Sequence, residues 1–181
     1  MSKATLITLM AMAFVVAAGA VYIFFLDESD KQKRNETPAA QALLIEDEQS
    51  VYLDMAQTKV DFSDDFGKII VVSSWASWCP QCAEDIGRLD QVAAEFKDKE
   101  VLFLAINRAE NPYTAERFLN TFNKPEHVRI ILDPSDHFFA ANSGYAMPET
   151  IVYDESGEVK SHQRGNLNTE ELKKTIVEAL E

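Results

Sequence analysis

The chain has 181 residues, 46% of them hydrophobic, which is enough to bury one real core and leave room for an appendage. Its formal net charge of −13 makes it a poor partner for nucleic acid or anionic lipid headgroups, and the simplest role of that charge is solubility. Two cysteines exclude a disulfide framework, and a bridge between positions 79 and 82 would close too small a loop to add much chain-entropy stabilisation, so the pair points to chemistry.

Residues 4–26 carry no charge and are long enough, at ~1.5 Å per residue, to reach across a hydrocarbon core of ~30 Å. Lys3 precedes the run, and Tyr22 stands near its far end, where an interfacial aromatic belongs. Ala18-Gly19-Ala20 offers a cleavage site of the signal-peptide kind, but cutting there would leave the apolar Val21–Leu26 as a new N-terminus. A retained anchor over 1–26 is the favoured reading. Lys31, Lys33 and Arg34 follow the run and lean the positive-inside rule the other way. A short N-terminal tail on a signal-type anchor still places the C-terminal domain outside the cytoplasm, and a redox motif fits that side.

Residues 27–42 are charged and poor in apolar side chains, and contain Pro38; they read as a solvated linker, with the folded domain running over 43–181. Val51–Asp54 and Lys59–Phe62 have the look of a small hairpin. Ile69–Ser74 is a continuous apolar run of the kind found in strands buried on both faces. Next comes Trp75-Ala76-Ser77-Trp78-Cys79-Pro80-Gln81-Cys82, which holds both cysteines. Beyond it, Cys82, Ile86, Leu89, Ala93 and Phe96 recur at spacings of four, three, four and three, one face of a helix, and Pro80 suits its first turn.

A strand over 100–106, a helix over 112–122, a strand over 128–132, a short helix over 135–142 and a strand over 149–153 are expected in turn. The turn Asp154–Gly157 sends the chain back as a hairpin strand over 159–162, and Asn168 or Thr169 caps a last helix with Leu172, Ile176 and Leu180 on one face. Strands alternating with helices, then a hairpin and a closing helix, give an α/β fold with a mixed central sheet and helices on both faces.

The chemistry follows from placement. Only a thiolate attacks a disulfide. Cys79 stands where a helix opens, and the free N–H groups and positive dipole end there favour its thiolate. Cys82 lies one turn on, on the apolar face, where burial should raise its pKa. Cys79 is therefore expected to be the exposed attacking thiol and Cys82 the buried resolving one.

With W-A-S-W-C-P-Q-C at the first strand–helix junction and G-Y-A-M-P-E-T at 144–150 just before a later strand, residues 51–181 resemble the thioredoxin superfamily. The chain looks most like its membrane-anchored TlpA/ResA/DsbE-type thiol–disulfide oxidoreductases. The resemblance implies a thioredoxin-like fold in which Pro148 is cis and faces the dithiol with Met147 beside it. Trp78, Pro80, Met147 and Pro148 then meet the substrate. Thioredoxins proper carry a buried aspartate six residues before the first cysteine; here Ser73 stands there. Many TlpA-like members instead place an acid three residues after the second cysteine. That position is Asp85, the candidate proton acceptor for Cys82, although a first-turn acid that merely suits the helix dipole would look the same. Where the family often has a helix-bending proline, Gly87 stands.

The resemblance also implies reduction of a disulfide-bearing protein substrate, with apocytochrome c before haem attachment as the favoured one, and a membrane electron donor of the thiol-relay type. The alternatives are general extracytoplasmic disulfide repair or oxidation, and a redox-inactive binding module on the same fold. No cofactor is expected. No metal is expected either: His127, His137 and His162 are scattered, and C-x-x-C is not the C-x-x-x-C spacing of a copper chaperone.

Overall fold

The computed structural model describes residues 16, 19, 21–22, 37–44 and 51–181. Most of the anchor expected over 1–26 and most of the expected linker lie outside the described residues; of the anchor, Val16, Gly19, Val21 and Tyr22 are described and helical. Among the described residues no helix is long and apolar enough to cross a membrane.

The compact unit runs over 37–181, six residues earlier than the sequence places the domain boundary. Its first element is helix α1 (Pro38–Leu43), started by Thr37, whose side chain accepts from the Ala40 N–H, and by Pro38 at the first helical position. Ala39, Ala40, Ala42 and Leu43 are buried, so this end of the expected linker is core.

The remaining elements are β1 (Tyr52–Leu53), β2 (Lys59–Val60), β3 (Ile69–Trp75), α2 (Cys82–Glu95), β4 (Val101–Arg108), α3 (Pro112–Leu119), β5 (Arg129–Asp133), α4 (His137–Ala141), β6 (Glu149–Tyr153), β7 (Val159–Arg164) and α5 (Thr169–Ala179). The seven strands form one sheet in the order β2-β1-β5-β4-β3-β6-β7. β3 runs parallel to β4, and β4 to β5, while β6 lies antiparallel to β3 and β7 antiparallel to β6. The sheet is mixed, as expected.

Every residue of β3 is buried, because both faces of this central strand are covered. Ile69, Val71 and Trp75 point into one core layer, with Ile86 and Leu89 of α2, Ala115 and Leu119 of α3, and Leu172 and Ile176 of α5. Ile70 and Val72 point into the other, with α1, Tyr52, Phe62 and Phe138. Asn168 caps α5 by accepting from the Glu171 N–H.

This topology brings three loops to one edge of the sheet. β3 ends at Trp75, opposite Asn107 near the end of β4. β6 begins at Glu149, opposite Ser74. The segment 76–81, the turn 109–111 and the segment 144–148 are therefore neighbours in space although far apart in sequence.

Candidate active site

Cys79 and Cys82 are joined as a disulfide, with S–S 2.10 Å, a torsion of 87° and Cα atoms 5.5 Å apart. The regular helix starts at Cys82, with Gln81 as its cap residue, so Cys79 and Pro80 lie in the turn that leads into α2 rather than inside its first turn. The Cys82 N–H still donates to the Cys79 carbonyl at 3.3 Å, which keeps the first cysteine at the mouth of the helix. The expectation that Cys79 is exposed is corrected. It is 2% exposed and Cys82 1%, because Cys79 is part of the core layer that also holds Trp75, Ile86 and Leu89. The two thiols therefore differ by position along the helix axis and by neighbours, not by solvent exposure in this oxidised state.

The two tryptophans part company. Trp75 is wholly buried, donates its indole N–H to the Ala105 carbonyl at 3.2 Å and stacks on Phe118 at 5.4 Å between ring centroids. Trp78 is 61% exposed and stands on the rim beside Cys79.

The Met147–Pro148 peptide is cis, and Met147 packs against the core layer that includes both cysteines. The segment before it is tightly built. Gly144 leaves room for the Phe139 ring, which would stand 2.5 Å from any Cβ. Glu149, one residue past the proline, is 2% exposed, and its Oε1 accepts the backbone N–H groups of Tyr145 (3.0 Å) and Ala146 (2.9 Å). Its Oε2 meets His162 Nε2 at 2.9 Å, and Arg164 Nε lies 3.5 Å from Oε1. Burial pushes the Glu149 carboxyl up, but the hydrogen bonds from Ala146, Tyr145 and His162 outweigh that and hold it below the usual carboxylate range.

Asp85 is 2% exposed on α2, one turn past Cys82. Its Oδ2 accepts the Leu167 N–H at 2.9 Å, and Arg88 Nη1 lies 3.5 Å from Oδ1. Burial pushes its carboxyl above the ordinary value; the Leu167 N–H and the Arg88 guanidinium pull it back only in part. A solvated first-turn acid would be exposed, so burial separates Asp85 from Glu84, which sits on the outside paired with Arg88. Ser73, at the thioredoxin aspartate position, is buried and accepts a hydrogen bond from the Thr150 hydroxyl at 3.2 Å.

Two residues at this edge escaped the sequence reading. Glu110, in the turn after β4, accepts from the Ser77 N–H at 2.9 Å and also from the Ser77 hydroxyl. Asn107, wholly buried, donates to the same carboxylate at 2.7 Å. The sequence carried a faint sign of this, a polar residue closing the apolar run 101–106. Among the described residues no group of three His, Cys, Asp or Glu side chains is arranged to hold a metal ion.

A Redoxin family model matches residues 32–180. The thiol–disulfide oxidoreductase ResA of Geobacillus kaustophilus is 26% identical over 114 residues, 63% of this chain and 64% of that protein. The thiol:disulfide interchange protein DsbE of Tatumella citrea is 30% identical over 111 residues, 61% of this chain and 57% of that protein. The chain thus spans less than two thirds of the length of these two curated relatives. Among solved structures, DsbF of Mycobacterium tuberculosis superposes with a TM-score of 0.64 at 22% identity, covering 77% of this chain and 96% of that one. A Chlorobium tepidum structure described as a thiol:disulfide interchange protein DsbE also gives 0.64, at 25% identity, covering 73% and 94%. With its paired cysteines at the mouth of a thioredoxin-like sheet and the family model running over nearly all of the folded unit, the chain belongs to the Redoxin family, as a member of TlpA/ResA/DsbE type.

Proposed function

We propose that the protein is a membrane-tethered, extracytoplasmic thiol–disulfide oxidoreductase that reduces protein disulfides. The observation that carries this reading is the Cys79–Cys82 disulfide at the opening of α2, on the same edge of the sheet as the cis Met147–Pro148 peptide. Residues 1–26 serve as the anchor and the stretch up to the folded unit as its tether. The domain faces away from the cytoplasm.

The reaction starts from the reduced form. The Cys79 thiolate attacks one sulfur of the substrate disulfide; that S–S bond breaks, a mixed disulfide forms, and the first substrate thiolate leaves and takes up a proton. Cys82 then loses its proton to Asp85, whose carboxyl is made more basic than usual by burial, and attacks Cys79 Sγ. The mixed disulfide breaks, the second substrate thiol is released, and the Cys79–Cys82 disulfide is left. Two electrons have passed from the protein to the substrate. A membrane thiol donor restores the dithiol. Trp78 and Pro80 on one side and Met147 and Pro148 on the other flank the approach of an extended substrate segment.

The substrate in this reading is the disulfide of an apocytochrome c, reduced to thiols before haem attachment, as the resemblance to the DsbE-type branch implies. Insulin reduction tests the core of the reading. Wild type should precipitate insulin chains in the presence of a thiol donor, and Cys79→Ser should do so no faster than buffer. Activity that survives Cys79→Ser would overturn the redox reading of Cys79, and wild type no faster than buffer would leave only the binding-module alternative.

A further inference from the structure

The segment 76–79 decides how Cys79 meets a substrate, and it is a closed turn: the Cys79 N–H donates to the Ala76 carbonyl at 3.1 Å. Ser77 is the second residue of that turn. Both its donors, the N–H and the hydroxyl, go to the carboxylate of Glu110, 33 residues away in sequence. Glu110 is brought there by the turn after β4, where Ala109 takes a left-handed conformation (φ 48°) and donates its N–H to the Asp133 carbonyl at 2.9 Å. Asn107 completes the arrangement. Its Nδ2 donates to Glu110 Oε2 at 2.7 Å and reaches the Trp75 carbonyl at 3.5 Å, tying the carboxylate to the last residue of β3.

Two features mark this as more than packing. Asn107 Oδ1 is buried and accepts no hydrogen bond among the described residues, a cost that an apolar side chain would avoid. Glu110 forms no ion pair among the described residues; its named partners are all neutral donors, and Arg117, which lines a cavity with Ser77, is not bonded to it. Only Trp78 separates Ser77 from Cys79, a Cα–Cα reach of at most about 7 Å, which brings the carboxylate bonded to Ser77 close to Cys79.

We propose that Glu110, seated by Asn107, is a positioning residue for the redox reaction: it locks the turn 76–79 so that Cys79 is aimed for attack, and its charge holds back thiolate formation at Cys79. This rests on Cys79 being the attacking thiol. Disulfide exchange needs an aligned approach of the attacking sulfur, and a displacement near 1 Å can cost 10²-fold in rate. Cys79 has one side-chain torsion between backbone and sulfur, so the backbone turn sets its aim. Opposition to the thiolate would also offset part of the activation from the helix terminus.

The test uses Glu110→Gln, Glu110→Asp and Ser77→Ala, each in the full chain and again with Cys82→Ala so that Cys79 is the sole thiol. Insulin reduction is read in the first set and the pH profile of Cys79 alkylation by iodoacetamide in the second. Glu110→Gln should lower kcat/KM about tenfold or more, mainly through kcat, and should move the alkylation profile to lower pH. Glu110→Asp should return the profile towards wild type with partial recovery of kcat. Ser77→Ala, which keeps the charge, should lower kcat a few-fold with the profile unmoved. An alkylation profile unchanged in Glu110→Gln would overturn the proposal, as would a loss of kcat/KM matched by Glu110→Asp and explained by a fall in Tm. The parent reading fails separately, in otherwise wild-type protein, if Cys79 is alkylated no faster than Cys82; the role of Glu110 then falls with it.

Discussion

The two segments that meet at the redox edge are both held by a glutamate, but in opposite ways. Glu149 lies inside the fold, takes two backbone N–H groups of the segment before cis-Pro148, is hydrogen-bonded to His162 and has Arg164 beside it as a counter-charge. Glu110 reaches in from a neighbouring turn, takes the two donors of Ser77, and has only neutral partners. The first arrangement suits a fixed wall: charge, counter-charge and backbone are mutually satisfied. The second suits a tuned lever: the turn is held, yet a carboxylate with no ion pair among the described residues is left near the sulfur that must ionise.

Removing Glu149 should have the largest effect on the fold. Glu149→Ala strips two N–H groups of their acceptor and leaves His162 and the exposed Arg164 without their carboxylate. A buried N–H left without its acceptor typically costs about 1–3 kcal/mol. Urea unfolding of the oxidised protein should show a loss of that order. A loss below about 1 kcal/mol would mean the segment before Pro148 is held by something else.

A smaller effect, of opposite sign at two carboxylates, concerns pH. The folded Glu149 carboxyl lies below its usual range, so the stability it contributes is present above the ordinary glutamate value and is lost as pH falls through the folded value. The folded Asp85 carboxyl lies above its usual range, so its contribution is present below the ordinary aspartate value and is lost as pH rises through the folded value. Stability measured from pH 3 to 8 should therefore fall less steeply towards acid in Glu149→Gln, and lose less between the ordinary and raised aspartate values in Asp85→Asn. Equal changes of slope in both variants would contradict the opposite directions in which the fold moves the two carboxyls.

What was legible in the sequence is what is local. Cys79 and Cys82, the apolar β3 and the A-M-P-E-T run each declare themselves within a few residues. The start of α1 was legible too, in Thr37-Pro38, but the charged run before it made the whole stretch look solvated. The burial of Cys79 was not, because it depends on which core layer closes over the turn. Glu110 was hidden for the same reason: its contact with Ser77 exists only because β3 and β4 pair in a register that sets Trp75 against Asn107. At Asp85 the sequence leaned towards a first-turn acid that suits the helix dipole, and its burial was not legible there. A dipole-stabilising acid would point outward, as Glu84 does, whereas Asp85 is turned in and bonded to the Leu167 N–H.

The central claim is that Cys79 attacks and Cys82 resolves. Cys82→Ala and Cys79→Ala, both reduced, should be mixed with a peptide carrying one intramolecular disulfide, and the products separated without reductant. Cys82→Ala should accumulate a covalent adduct through Cys79, and Cys79→Ala should yield none above background. Equal adducts from the two variants, or an adduct from Cys79→Ala alone, would contradict the account.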